Sequence, residues 1–130
     1  MKCLIVTPEK TVLDMEASSV VLPLIDGEFG VLSGHAPVIA RIGAGELRAK
    51  PPQGESVHYY VEGGFVEILD DVVALLTMFA QPTSEMNVAY EEQQFAEALN
   101  RPGDTPELAQ IKEERLYSRR ARLHVAKKGR

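Results

Sequence analysis

Apolar positions in the first eighty or so residues come in short runs that stop at turn residues, and several runs alternate with period two. Lys2–Thr7 is a β-branched run closed by Pro8. Thr11–Ala17 alternates, with Leu13, Met15 and Ala17 on one side. Ser19–Leu22, Glu28–Leu32 and Val38–Ile42 follow, the first two separated by a turn at Asp26-Gly27 and the last closed by Gly43-Ala44-Gly45. Glu46–Lys50 leads into Pro51-Pro52-Gln53-Gly54, which cannot continue a central strand. Val57–Glu62 alternates again, placing Val57, Tyr59 and Val61 inward and His58, Tyr60 and Glu62 outward. Gly63-Gly64 is a tight turn, and Asp70-Asp71 is a two-residue hairpin connection between Phe65–Leu69 and Val72–Thr77. Short strands at this spacing predict a β-sandwich or barrel.

The period changes after Gln81-Pro82-Thr83-Ser84. Asn87 is placed to cap a helix from about Val88 to Leu99, with Phe95, Ala98 and Leu99 at helical spacing. Asn100-Arg101-Pro102-Gly103-Asp104 breaks it. Thr105-Pro106-Glu107 restarts one with a threonine cap, proline at the first helical position and an early acid. This second helix reaches about Ala126, with Lys127, Lys128 and Gly129 at its end, and is roughly 33 Å long. Ala109, Leu116 and Leu123 form a thin apolar seam that Lys112 and Arg119 interrupt. At about 25 cal/mol per Å² of apolar area, docking along so narrow a seam is only marginally favourable. The short link makes an antiparallel helical hairpin the natural geometry, and a weakly docked hairpin can hold two positions.

Composition narrows the function. The chain has 130 residues, 45% apolar, with net charge −5 and a single cysteine, Cys3. No intrachain disulfide can form, and a reducing compartment is the default. The longest apolar stretch, Val72–Ala80, is about half the roughly 20 residues of a spanning helix. The apolar run before Pro8 is too short for a secretory signal, so membrane association is expected only through a protein partner. Charge divides unevenly: residues 1–100 carry −10, and residues 101–130 carry +5. From Arg119 onward six side chains are basic and none is acidic. Such a tail reports either a solvated helix face or a polyanionic partner. Overall acidity and the lack of interleaved aromatics argue against a nucleic-acid adaptor.

Candidate chemistry is sparse. His35, His58 and His124 show no metal-ligand spacing. Cys3 has no evident base, and no nucleophile elbow or P-loop is present. Catalytic residues, metal and cofactor are all expected to be absent. What remains is the loop Asp26–Pro37, in which Phe29 and Leu32 are placed to anchor and Glu28 and His35 to face outward. A long ordered loop on a β scaffold more often recognises than merely connects. A stand-alone β-sandwich ligand-binding module or enzyme with a helical tail is the alternative, and it needs a deep polar pocket.

The motifs Gly27-Glu28-Phe29-Gly30-Val31-Leu32-x-Gly34-His35-Ala36-Pro37, Gly45-x-Leu47, Gly63-Gly64-Phe65-Val66-Glu67 and Val72-x-x-Leu75 occur in this order, with Ala121–Val125 near the end. Together they resemble the epsilon subunit of bacterial F-type ATP synthase. The resemblance implies an α+β chain: an N-terminal antiparallel β-sandwich of two five-stranded sheets over residues 1–82, then a C-terminal antiparallel α-helical hairpin over 83–130. It implies a non-catalytic rotor subunit of the proton-translocating enzyme, joining the gamma subunit to the c-ring. Such a subunit sits on the cytoplasmic face of the bacterial inner membrane and touches the membrane only indirectly. The c-ring contact carries over to Glu28, Phe29, Gly30, His35, Ala36 and Pro37. The family's hairpin can extend along gamma into the catalytic hexamer and oppose ATP hydrolysis, a role that Arg115, Arg119, Arg120 and Arg122 match in kind and place.

Some members of that family bind ATP through an Ile/Leu-Asp-x-x-Arg-Ala motif. The aligned stretch here is Met86-Asn87-Val88-Ala89-Tyr90-Glu91, so the aspartate, the arginine and the alanine are all replaced. The cation for the phosphates and the acidic hydrogen-bonding group are both lost. The isolated subunit is therefore expected to show no physiologically useful ATP binding. Micromolar affinity in titration calorimetry would overturn this.

Overall fold

The computed structural model describes residues 1–128; Gly129 and Arg130, placed above at the helix end and in the basic tail, lie outside the described residues. The chain divides into two compact units, one over Met1–Pro82 and one from Thr83 onward.

The first unit holds ten strands: β1 (Lys2–Val6), β2 (Thr11–Glu16), β3 (Ser19–Leu24), β4 (Gly27–Leu32), β5 (Val38–Arg41), β6 (Ala44–Lys50), β7 (Val57–Glu62), β8 (Phe65–Leu69), β9 (Val72–Leu76) and β10 (Phe79–Pro82). They form two five-stranded sheets, β2-β1-β9-β8-β5 and β10-β7-β6-β3-β4. Every pairing is antiparallel except β1 with β9, which is parallel. Inward positions of both sheets meet in one core. Cys3, Ile5, Val66, Ile68, Val73 and Leu75 come from the first sheet, and Val20, Leu22, Val31, Leu47, Ala49 and Val61 from the second. The alternation that defines the strands thus also defines the core.

Several local expectations shift. Ala44 and Gly45 belong to β6 instead of ending the preceding run. The β3–β4 loop is Ile25-Asp26, because Gly27 already pairs with Leu24. Val31, not Leu32, anchors β4: Leu32 is 66% exposed, since strand alternation puts it opposite the buried Val31. Tyr60 points to the outer face of its sheet yet is fully buried, its ring edge against Phe79 and its hydroxyl donating to Glu62 at 2.6 Å. The edge strand β10 was hidden inside the apolar stretch read as one run.

Gly63 and Gly64 are not a hairpin turn. They carry the chain from β7 in the second sheet to β8 in the first, both with positive φ (74° and 93°). Gly64 lies so close to the end of β9 that a Cβ there would sit 1.9 Å from the carbonyl oxygen of Leu76. The Thr77 hydroxyl, 2% exposed, reaches the carbonyl oxygen of Gly63 at 2.7 Å and closes the same corner. Asp70 and Asp71 do form the predicted β8–β9 connection, with φ of 51° and 61°. Two left-handed residues are what a two-residue turn matched to strand twist requires.

In the second unit a 3₁₀ turn (Thr83–Glu85) precedes α1 (Val88–Leu99) and α2 (Pro106–Ala126). Both predicted caps form: the Asn87 side chain accepts from Tyr90 N, and Thr105 accepts from Leu108 N. Neighbours run in opposite senses along the two helices. Arg101 lines a cleft with Leu108–Arg115, Glu97 lines one with Arg119, and Phe95 meets Arg120, so the hairpin is antiparallel. Among the described residues no helix is long and apolar enough to cross a membrane.

Gly64→Ala should destabilise the protein by at least about 2 kcal/mol in urea unfolding, because backbone strain and a backbone clash act together. Gly30→Ala, with nothing within 4 Å of the added Cβ, should stay within about 0.5 kcal/mol.

Candidate functional site

The candidate surface is built on β4 and the loop 33–37 that joins the two sheets. Phe29 pairs with Leu22 and leans half-buried against the core. Its ring meets the His35 imidazole edge-on, centroids 5.4 Å apart. His35 is half-buried, its Nδ1 2.7 Å from the carbonyl oxygen of Ala36. It is a packed element of the loop instead of a freely outward side chain. Ala36 and Pro37 are exposed after it. Phe29 and His35 therefore pack together, with Ala36 and Pro37 exposed directly after them.

Glu28 and Gly30 alternate to the outer face of the second sheet. Glu28 is exposed and accepts from the Arg48 guanidinium at 3.1 Å. Arg48 also reaches the buried carboxylate of Glu46 at 3.4 Å, and His58 Nδ1 lies 3.3 Å from the other oxygen of Glu46. Hydrogen bonding to Glu28, with further help from Glu46, raises the Arg48 pKa above its ordinary value. Arg48 was not among the residues singled out by sequence. Its signal was faint: Glu28 and Arg48 share a sheet face on strands flanking β3, 20 residues apart.

The loop's main polar anchor also escaped notice. Ser33 Oγ donates to Asp71 at 2.9 and 3.1 Å, and Gly34 N donates to Asp71 Oδ1 at 2.9 Å. The Gly34 amide, and then the Ser33 hydroxyl, hold the Asp71 carboxyl below the usual carboxylate range. Sequence suggested only a turn at Asp71. A partner 37 residues away leaves no local trace.

On the outer face of the first sheet, Ile39 (72% exposed), Phe65 (52%), Leu69 (43%) and Leu76 (59%) face solvent, with Met78 (70%) just beyond. Two clefts mark this region. One of about 390 Å³ is lined by Pro37–Ile39 and Glu67–Leu69, and one of about 300 Å³ by Val6–Pro8 and Leu76–Met78. Arg41 and Glu67 alternate onto the same face, so its exposed apolar side chains are interspersed with charges.

The four arginines of α2 do not act as one stripe. Arg115 and Arg119 line a polar cleft of about 230 Å³ with Gln94, Glu97, Ala98 and Arg101. The Arg120 guanidinium lies 5.7 Å from the centre of the Phe95 ring, and Arg122 is half-buried. At the stretch 86–91, Asn87 is engaged as the α1 cap and Tyr90 is 53% exposed. Glu91 is 4% exposed, and its Oε1 has no hydrogen-bond partner among the described residues. Cys3 is buried, and burial pushes its thiol up to about 12.

Residues 1–83 match the family model described as ATP synthase, Delta/Epsilon chain, beta-sandwich domain. An ATP synthase epsilon chain of Rhodopirellula baltica is 43% identical over 127 residues, covering 98% of both chains. In fold, the chain resembles one in the mitochondrial ATP synthase of Euglena gracilis, solved as an OSCP/F1/c-ring assembly (TM-score 0.80, 21% identity, 92% of this chain and 76% of that one). It also resembles one in the central stalk and c-ring structure of the Tetrahymena thermophila mitochondrial enzyme (TM-score 0.76, 17% identity, 97% and 96%). The glycine-rich corner, the sheet order and a near full-length relative agree, and the chain belongs to the ATP synthase epsilon chain family.

Proposed function

We propose that this chain is a non-catalytic rotor subunit of a proton-translocating F-type ATP synthase, coupling the gamma subunit to the c-ring. It comprises a β-sandwich domain over residues 1–82 and a regulatory hairpin over 83–130. The observation that carries the reading is the pairing of a broad exposed apolar sheet face, Ile39, Phe65, Leu69 and Leu76, with a stiff loop beside it. An apolar face of that extent suits a permanent partner, and gamma is the partner assigned to it. The corner Phe29, Gly30, His35, Ala36 and Pro37, with Glu28 beside it, is assigned to the polar loops of the c-ring. The solved assemblies that share the fold contain a c-ring, which supports the assignment. The subunit is thereby held peripherally at the cytoplasmic face of the bacterial inner membrane.

A non-catalytic role fits the side chains. A thiol raised to about 12 is not a nucleophile near neutral pH, and the two clefts on the sheet face are mostly apolar. The hairpin is assigned the regulatory role: extended, it brings Arg115, Arg119, Arg120 and Arg122 to the catalytic hexamer and opposes ATP hydrolysis. Its inner seam supports this. Ala109, Lys112, Leu116, Arg119 and Leu123 are all only half-buried, so little apolar area resists opening.

Co-expression with gamma should give stable co-purification that survives deletion of residues 85–130. Ile39→Lys combined with Leu69→Lys should abolish it, with the β-sheet circular dichroism unchanged because both positions are exposed and neither faces a cation across the strands. Retention of gamma by that double variant would overturn the assignment of this face. In a complex whose hydrolysis is inhibited by its tail, changing Arg119, Arg120 and Arg122 to alanine should raise hydrolysis toward that of the hairpin-deleted complex. An unchanged rate removes the arginines from the inhibitory contact.

A further inference from the structure

We propose that Asp71 is a positioning residue for the c-ring corner: its carboxylate, delivered by the β8–β9 turn, holds Ser33-Gly34 so that Phe29, His35, Ala36 and Pro37 present one fixed surface. The proposal rests on the c-ring reading of that corner.

The loop 33–37 crosses between sheets and makes no backbone–backbone hydrogen bond to another element among the described residues. Its long-range polar restraint is the Asp71 carboxylate, which takes the Ser33 hydroxyl on both oxygens and the Gly34 amide on Oδ1, and whose Oδ2 also lies 3.6 Å from the Met1 ammonium. Bonds to an ionised acceptor are roughly twice as strong as neutral ones. Gly34 has φ +83°, which glycine adopts about as readily as negative φ, so its backbone alone does not select the conformation. Fixing it aims the next residue, His35, at the Phe29 ring.

The plain alternative is that Asp71 serves only its turn. Asp70 argues against that. It has the same left-handed backbone, φ 51° against 61°, and makes no side-chain hydrogen bond among the described residues. Asparagine or glycine meets the demands of the turn equally well, so the turn needs no carboxylate at 71. The position also matters. β8 and β9 carry Phe65, Leu69 and Leu76 of the apolar face assigned to gamma. Asp71 therefore joins the two strands that would receive torque to the loop that would deliver it.

The test separates carboxylate from backbone. Asp71→Gly removes the acceptor and keeps the left-handed turn; Asp71→Asn keeps the turn and one neutral acceptor oxygen; Asp70→Gly is the control. In the full-length subunit, amide exchange at Gly34 measured by NMR should be at least about tenfold faster in Asp71→Gly, between that and wild type in Asp71→Asn and unchanged in Asp70→Gly. Unchanged exchange in Asp71→Gly overturns the clamp. An unfolding midpoint as low as that of Gly64→Ala also overturns it, because the effect is then global. The affinity of the gamma–epsilon pair for purified c-ring in detergent should fall with Asp71→Gly and fall less with Asp71→Asn. If Gly34 is released but affinity holds, while Phe29→Ala and His35→Ala weaken it, the positioning role is wrong and the c-ring reading stands. If none of these substitutions weakens it, the c-ring reading itself fails and takes the proposal with it.

Discussion

The sandwich depends on one close backbone approach. Where the chain leaves β7 for β8, Gly64 lies against the carbonyl of Leu76 at a separation that no side chain could occupy. Around it the corner is stitched by backbone and hydroxyl bonds. Gly63 N donates to Gly43, Ile42 N donates to Gly64, and Thr77 reaches Gly63. This fixes where β8 begins and β9 ends, and hence where their turn lies. Five residues of strand then carry the hairpin roughly 17 Å to its far end, where Asp71 meets the loop between β4 and β5. A contact at one end of the sheet thus sets the geometry of the candidate site at the other.

The helical unit is held together differently. The sandwich buries a continuous aliphatic core, with Ile5, Leu22, Leu47, Val61, Val66 and Leu75 fully inaccessible. In the helical unit the buried apolar side chains are Ala98 and Val125, with Leu116 and Leu123 half-buried and the Arg120 guanidinium over the Phe95 ring. A buried Glu91 oxygen without a partner among the described residues adds a cost to this unit. A pair of helices with good caps and a poor interface keeps its helices when the interface opens. Thr105 and Asn87 stabilise each helix from within, independently of what the other does.

Legibility followed sequence distance. The helix starts at Val88 and Pro106 were readable because a cap acts within three residues of itself. The Asp70-Asp71 turn and most strand runs were readable for the same reason. The parallel pairing of β1 with β9 was not, since nothing near Lys2 reports Val72. Tyr60 was read correctly as outward, but its burial depends on Phe79 and Glu62. Leu32 has the hydrophobicity of an anchor, yet the alternation through Val31 turns it to solvent. The corner residues of the candidate site stood out as a motif. Their restraints, Asp71 and Arg48, did not, because an aspartate in a turn and an arginine in a strand look ordinary until the partner strand is known.

The clamp's exposure explains why it uses an anion. The Asp71 side chain is 47% accessible, so water competes for the Ser33 and Gly34 donors. A neutral acceptor at such a position gains little over solvent, whereas an ionised one accepting from both donors keeps the bonds directional and stronger. Those same donors lower the carboxyl's folded-state pKa below its ordinary 3.8. The stabilising contribution is therefore complete above that value and is lost only as pH falls through the still lower folded value. At any pH near neutrality the clamp stays charged and closed. A restraint that does not titrate near neutrality suits a loop that has to keep one geometry.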